Sequence, residues 1–230
     1  MQQHEQYNKL NCLFVEPEIG AKSAFIWIHG LNDSAENNLS LIKAFSLPEE
    51  HSVLFVLPQA PSLRLSIDPS FESVGWYDIR DFKIQLYPDI KGIEFSFNKI
   101  HFLLDSIIKR GIPPENIILG GFSQGGVIAL HAAASFKYKL SCVIAAAAYI
   151  PSVDYYSGLV SKSGKETPIY MLNGRNDNIV SYEVSESNFA YLDSNGFIVQ
   201  KVDSDEAHNL SSEQFELIEQ LMHEKLLFNS

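Results

Sequence analysis

The chain has 230 residues, 46% of them apolar, and its 17 Lys and Arg against 28 Asp and Glu give a formal net charge of −11. That length and apolar share fit one large domain with a core of its own, predicted here to span 1–230. The charge argues against nucleic acid as a partner and opposes anionic lipid on average, and in both cases it speaks of the whole surface and not of a local basic patch.

The opening MQQHEQYNKLNC is polar and lacks the apolar centre of a signal peptide. The longest apolar run, CVIAAAAYI at 142–150, is too short to cross a bilayer, so a cytoplasmic protein with no transmembrane segment is expected. Short, branched apolar runs predict strands at 12–16, 24–30, 52–58, 116–121, 141–148, 168–174 and 197–202. Between them, Asp33 and Glu36 have capping-box spacing ahead of NNLSLIKAF. Phe97, Ile100, Leu104, Ile107 and Ile108 share one side of a helix over 94–110 that Gly111 ends. Further helices are predicted after residue 123, over 182–194, and over 212–227 with a second capping-box pair, Ser211 and Gln214. The two cysteines, Cys12 and Cys142, have neither metal nor redox spacing and read as sequestered thiols.

Strands alternating with helices predict an α/β fold, a mainly parallel sheet covered on both faces, with chemistry at the carboxyl ends of its strands. The segment 60–90 is a long connection carrying Trp76, Tyr77 and other aromatics, a composition that disfavours disorder.

One serine stands apart. In ILGGFSQGGVIAL, Ser123 is flanked two residues away by Gly121 and Gly125, with an apolar strand before it and an alanine-rich helix after it. This is the pattern of a nucleophile elbow: a sharp turn thrusts the hydroxyl outward at a helix N-terminus, and glycine removes the side chains that would collide. The competing reading is a plain glycine turn with an idle serine. A serine needs a base. Of the seven histidines, those preceding Ser123 are in the wrong chain order for a doubly wound hydrolase, where acid and then histidine follow the nucleophile. His131 lies two turns along the helix after Ser123, and His223 sits late in an amphipathic helix. His208, in a loop between the last strand and the last helix, is the candidate, against the reading of a surface-loop histidine. Asp177, after the strand at 168–174, is the candidate orienting acid, and its alternative is an Asx turn. Asp203, Asp205 and Glu206 read as solvated loop charge.

An oxyanion requires two donors. The Gln124 amide follows the nucleophile, and the Leu31 amide lies in IHGLNDSAEN after an early strand, where Gly30 is expected to permit close approach. His29 reads as a structural residue that fixes this loop through its ring. Trp76 and Tyr77 are expected to wall an apolar channel beside Ser123, with pure core packing as the alternative.

WIHGLNDSAEN, LPQAPSLRLSID, GWYDIRD, ILGGFSQGGVIAL, LNGRNDNIV and EAHNLS, in that order, resemble the phospholipase/carboxylesterase family that includes the acyl-protein thioesterases. The resemblance implies an α/β-hydrolase fold without a separate lid domain, a Ser-Asp-His triad falling on Ser123, Asp177 and His208, oxyanion donors at Leu31 and Gln124, and no cofactor or metal. It further implies a small-molecule or lipidated-protein acyl substrate and a monomer or homodimer. The chain departs from the family at Asn178, Ile179 and Ser181, where Pro, Val and Pro are usual, at Ala207 in place of glycine, and in the segment before Trp76. Two rival readings are a non-catalytic binding protein on the same scaffold and a small peptidase.

Overall fold

The structure is a computed structural model and describes residues 2–7, 10–81 and 86–227. The chain runs β1 (Gln2–Tyr7), β2 (Leu10–Val15), β3 (Ser23–Ile28), α1 (Leu39–Ala44), β4 (Val53–Pro58) and a hairpin of β5 (Ser62–Leu65) and β6 (Asp68–Val74). There follow α2 (Ile90–Lys109), β7 (Ile117–Phe122), α3 (Gln124–Ser135), β8 (Cys142–Ala146), α4 (Val153–Leu159) and α5 (Lys162–Glu166). The chain then continues through β9 (Ile169–Gly174), α6 (Tyr182–Ser194), β10 (Val199–Ser204) and α7 (Ser212–Met222). The hairpin apart, the strands form one eight-stranded sheet in the order β1-β2-β4-β3-β7-β8-β9-β10. From β4 to β10 every neighbouring pair is parallel, while β1 and β2 join antiparallel.

Alternation along the strands divides the core into two layers. Ile26 and Ile28 of β3 face Phe97, Ile100, Leu104, Val127 and Leu192 from α2, α3 and α6. Phe25 and Trp27 face the other way, onto Ile42 of α1 and Ile218, Leu221 and Met222 of α7. On that second side Phe25 stacks on Trp27 at 5.9 Å and meets Phe45 edge-on at 5.7 Å. Cys12 and Cys142 are both buried, and burial pushes the Cys142 thiol up to about 12. Among the described residues no helix is long and apolar enough to cross a membrane.

The helix after β3 lies on one face and the helix after β7 on the other, so the connections leave these adjacent strands in opposite directions. A crevice opens at the carboxyl ends of strands where that happens, and the two loops it separates carry Leu31 and Ser123.

Several elements differ from the sequence expectation. Asp33 and Glu36 form no capping box: α1 begins at Leu39, with Asn38 as N-cap and no side-chain cap. The reason is local competition, because the Asp33 carboxylate accepts from the side chains of Asn37 (3.0 Å) and Asn38 (2.8 Å) and from the Ser34 amide. α2 starts at Ile90, before the predicted 94, and does end at Gly111, whose φ is 98. The Ser211–Gln214 box forms, but α7 passes at His223 into a π-helical turn, His223–Leu227. The hairpin β5–β6, the polar edge strand β1 and the short helices α4 and α5 are additional elements.

Candidate active site

The turn between β7 and α3 holds Ser123 at φ 54, ψ −120, a region that non-glycine residues occupy only under constraint. The constraint is visible on both sides. A Cβ on Gly125 would collide with the Ile28 carbonyl, and one on Gly121 with the Gly125 backbone. The Ser123 amide is tied to the Ala146 carbonyl at 2.8 Å, and its carbonyl accepts from Val127 at 3.1 Å, so strand and helix grip the turn from both ends. As a first-turn residue of α3, Gln124 carries an amide with no intrahelical acceptor.

Ser123, His208 and Asp177 come together although they are far apart in the chain. His208 Nε2 lies 2.9 Å from Ser123 Oγ, and His208 Nδ1 lies 2.7 Å from Asp177 Oδ2. The other carboxylate oxygen, Asp177 Oδ1, accepts from the amides of Ile179 (2.8 Å) and Val180 (2.9 Å). The Asx turn and the histidine contact therefore coexist on the two oxygens of one side chain. Asp177 is buried, and His208 is part-buried with its ring 5.0 Å from that of Phe122.

The loops that deliver Asp177 and His208 are sewn to each other. Asn176 donates its amide to the Glu206 carbonyl (3.1 Å) and its side chain to the Asp205 carbonyl (2.6 Å). Below them Gln214, fully buried on α7, donates from Nε2 to the carbonyls of Asn173 (3.0 Å) and Val202 (2.8 Å), near the ends of β9 and β10. Its Oε1 accepts the Ser211 amide at 3.1 Å. The capping-box spacing marked this residue, but not the clamp across two strands, which depends on tertiary placement.

His29 holds the Leu31 loop. Its Nε2 accepts the Ala60 amide at 3.1 Å, which leaves Nδ1 as the protonated nitrogen donating to the Gly30 carbonyl at 2.7 Å. Burial lowers the pKa of this ring below the ordinary histidine value, against the smaller upward pull of the Gly30 carbonyl, and so favours that neutral form. Leu31 lines the same cleft as Ser123 and Gln124. A methyl group at Gly30 would sit 3.4–3.5 Å from Phe122 and Ser123, an ordinary contact, so the close approach does not depend on glycine there.

The cleft has a volume of about 340 Å³ and is lined by Gly30, Leu31, Asp33, Ile79, Phe122, Ser123, Gln124, Ile179 and His208. Trp76 and Tyr77 do not line it, contrary to expectation. Trp76 is 3% exposed, and its three polar contacts point inward: Nε1 donates to the His29 carbonyl (2.8 Å), its amide donates to Gln124 Oε1 (2.9 Å), and its carbonyl accepts from Ser96. Tyr77 is buried with its hydroxyl 3.5 Å from that of Tyr149, and burial raises its pKa well above the usual tyrosine value. The indole thus braces the loops around the cleft from behind. Its walls come instead from Ile79, Phe122 and Ile179, aliphatic or aromatic residues that the motifs contained without marking. Among the described residues no cluster of His, Cys, Asp and Glu is arranged to hold a metal.

A family described as phospholipase/carboxylesterase matches residues 10–225 of the chain. Acyl-protein thioesterase 1 of Schizosaccharomyces pombe is 29% identical over 209 residues, covering 90% of this chain and 92% of that protein. Acyl-protein thioesterase 1 of Neurospora crassa is 31% identical over 210 residues, covering 87% and 86%. The crystal structure of Arabidopsis thaliana SOBER1 superposes with a TM-score of 0.83 at 23% identity, covering 90% of this chain and all of that one, a likeness of fold.

Proposed function

The chain belongs to the phospholipase/carboxylesterase family, and from that premise we propose that it hydrolyses acyl esters and thioesters with Ser123 as nucleophile, His208 as base and Asp177 as orienting acid. The observation that carries this reading is the unbroken relay from Asp177 Oδ2 through the His208 ring to Ser123 Oγ, at 2.7 and 2.9 Å, opening into an apolar cleft.

Ser123 Oγ attacks the acyl carbonyl as His208 Nε2 accepts its proton. The Asp177 carboxylate holds Nδ1–H and offsets the charge that develops on the imidazolium. The amides of Leu31 and Gln124 receive the oxyanion, aided by the N-terminal end of α3. His208 then returns the proton to the departing alkoxide or thiolate, leaving an acyl-enzyme. A water deprotonated by His208 attacks this intermediate and releases the carboxylic acid, with Ser123 reprotonated.

Leu31, Ile79, Phe122 and Ile179 give the cleft walls suited to an acyl chain. The thioesterase relatives support the thioester of a lipidated protein as the physiological substrate, with lysophospholipids and short esters sharing the same carbonyl chemistry. The buried thiol of Cys142 is consistent with a cytoplasmic setting. The test is labelling with a fluorophosphonate, read by peptide mass. A single adduct on Ser123, lost on prior denaturation, is expected, and a folded chain that takes no adduct there overturns the assignment.

A further inference from the structure

We infer that the outward face of α2 is a docking surface for an anionic phospholipid bilayer. Lys91, Phe95, Asn98, Phe102 and Lys109 are exposed and follow one another at intervals of four, three, four and seven, which places them in one line along the helix. Phe95 is 62% exposed and Phe102 54%, a large aromatic surface on the outward face of the helix. The opposite face of the helix, Ile93, Phe97, Ile100, Leu104 and Ile107, is buried in the core, so the two phenylalanines are surplus to folding.

The charges identify the occupant. Lys99 Nζ sits 4.4 Å from the centre of the Phe95 ring. Lys91 and Lys109, at the two ends of the stripe, form no ion pair among the described residues. The acids of the helix lie on one flank: Glu94 is exposed there, and Asp105 pairs with Lys137 at 2.9 Å. A chain of net charge −11 thus carries a line in which two lysines bracket two exposed phenylalanines. Phenyl rings entering the headgroup layer while lysines meet lipid phosphates is the arrangement of an interfacial helix.

The position suits substrate delivery. The chain enters α2 through Leu86 and Tyr87, both more than half exposed. Tyr87 shares a small cavity with Ile79, and Ile79 also lines the cleft holding Ser123. The same cavity is also lined by Asp78, Arg80, Asp81 and Asp89, so a bilayer lying along the stripe meets Leu86 and Tyr87 at the rim of a mixed polar and apolar passage beside the cleft. That consequence rests on the function proposed above, whereas the docking itself does not.

Co-sedimentation of the full chain with vesicles of phosphatidylcholine, alone or mixed with phosphatidylserine, tests it. Binding is expected to the mixed vesicles, weakened by salt, and lowered roughly tenfold or more by either Lys91→Glu with Lys109→Glu or Phe95→Ser with Phe102→Ser. Both pairs are expected to keep p-nitrophenyl acetate turnover, which shows that they fold. Ser123→Ala is expected to bind vesicles as the unaltered chain does, so an error in the nucleophile assignment leaves the vesicle result standing. No binding by the intact chain, or binding that neither pair reduces, overturns the inference. So does a dimer in velocity sedimentation that Phe95→Ser with Phe102→Ser dissolves, because it gives the face to a second copy.

Discussion

The indole N–H of Trp76 donates to the carbonyl of His29 at 2.8 Å, two residues before Leu31. An aromatic that does not line the cleft thereby sets the position of a proposed oxyanion donor. Trp76→Phe keeps most of the buried surface and removes this donor, leaving a buried carbonyl unpaired at a cost of about 1–3 kcal/mol. The expected result is a lower melting temperature and a kcat reduced roughly tenfold for p-nitrophenyl acetate, with KM little changed, because the loss falls on the transition state. Steady-state kinetics and thermal unfolding decide it, and an unchanged kcat in a destabilised variant would confine Trp76 to the core.

Asp177→Asn is expected to spare the turn and disable the relay. Asparagine keeps an oxygen for the Ile179 and Val180 amides, but its NH₂ group opposes the protonated Nδ1 of His208, and the ring then prefers the tautomer that cannot take the serine proton. A fall in kcat of about 10⁴-fold follows, with the thermal transition close to that of the unaltered chain. Residual activity near one half would remove Asp177 from the mechanism.

Ser123, the proposed nucleophile, holds its backbone at a positive φ of 54. Ser123→Ala is expected to abolish turnover and to keep the strain, since alanine suffers the same steric conflict at φ 54. Ser123→Gly is expected to abolish turnover too, but to be more stable than Ser123→Ala by about 1 kcal/mol, the relief of strain exceeding the added entropy of the unfolded chain. Urea unfolding of the two inactive variants measures the difference.

His131 predicts a loss of stability in acid. Its Nδ1 donates to the Val127 carbonyl at 2.7 Å, while Phe97, Tyr155 and Tyr156 surround the ring and its Nε2 is buried with no hydrogen-bond partner among the described residues. Burial lowers its pKa from 6.5 to about 4. Above pH 6.5 the ring is neutral in folded and unfolded chain alike. Between 6.5 and about 4 only the unfolded chain takes up the proton, so stability falls as pH falls across that window. At about 1.4 kcal/mol per pH unit the full loss is about 3 kcal/mol. His131→Phe, which suits the aromatic surroundings, is expected to flatten the slope of unfolding free energy between pH 6.5 and 4. His29, His51 and His101, also lowered by burial, add to the slope in the same sense and remain in that variant.

What the sequence disclosed followed from local physics. β7, the Ser123 turn and α3 were readable together because a branched run, paired glycines and small helix-forming residues occur in unbroken succession. His208 and Asp177 are legible from chain order and from standing just after strands, and the fold places His208 against Ser123 and Asp177 against His208. The Asp33 cap failed because neighbouring asparagine side chains took its oxygens, a competition that spacing alone does not reveal. Trp76 and Tyr77 looked like channel walls because aromatic content says nothing of which way a ring turns. β1 was hidden by its polar composition, QQHEQY, which an edge strand tolerates and a central one does not.

The sheet order gives the relay an uneven thermal resistance. Leu31 and Ser123 hang from β3 and β7 at the middle of the sheet, whereas His208 hangs from β10, the outermost strand on its side. Outer strands fray before inner ones, and the Asn176 and Gln214 contacts make the acid loop peel away with the histidine loop. Warming is therefore expected to displace His208, the proposed base, while the serine turn is still intact, so that loss of activity precedes melting of the centre.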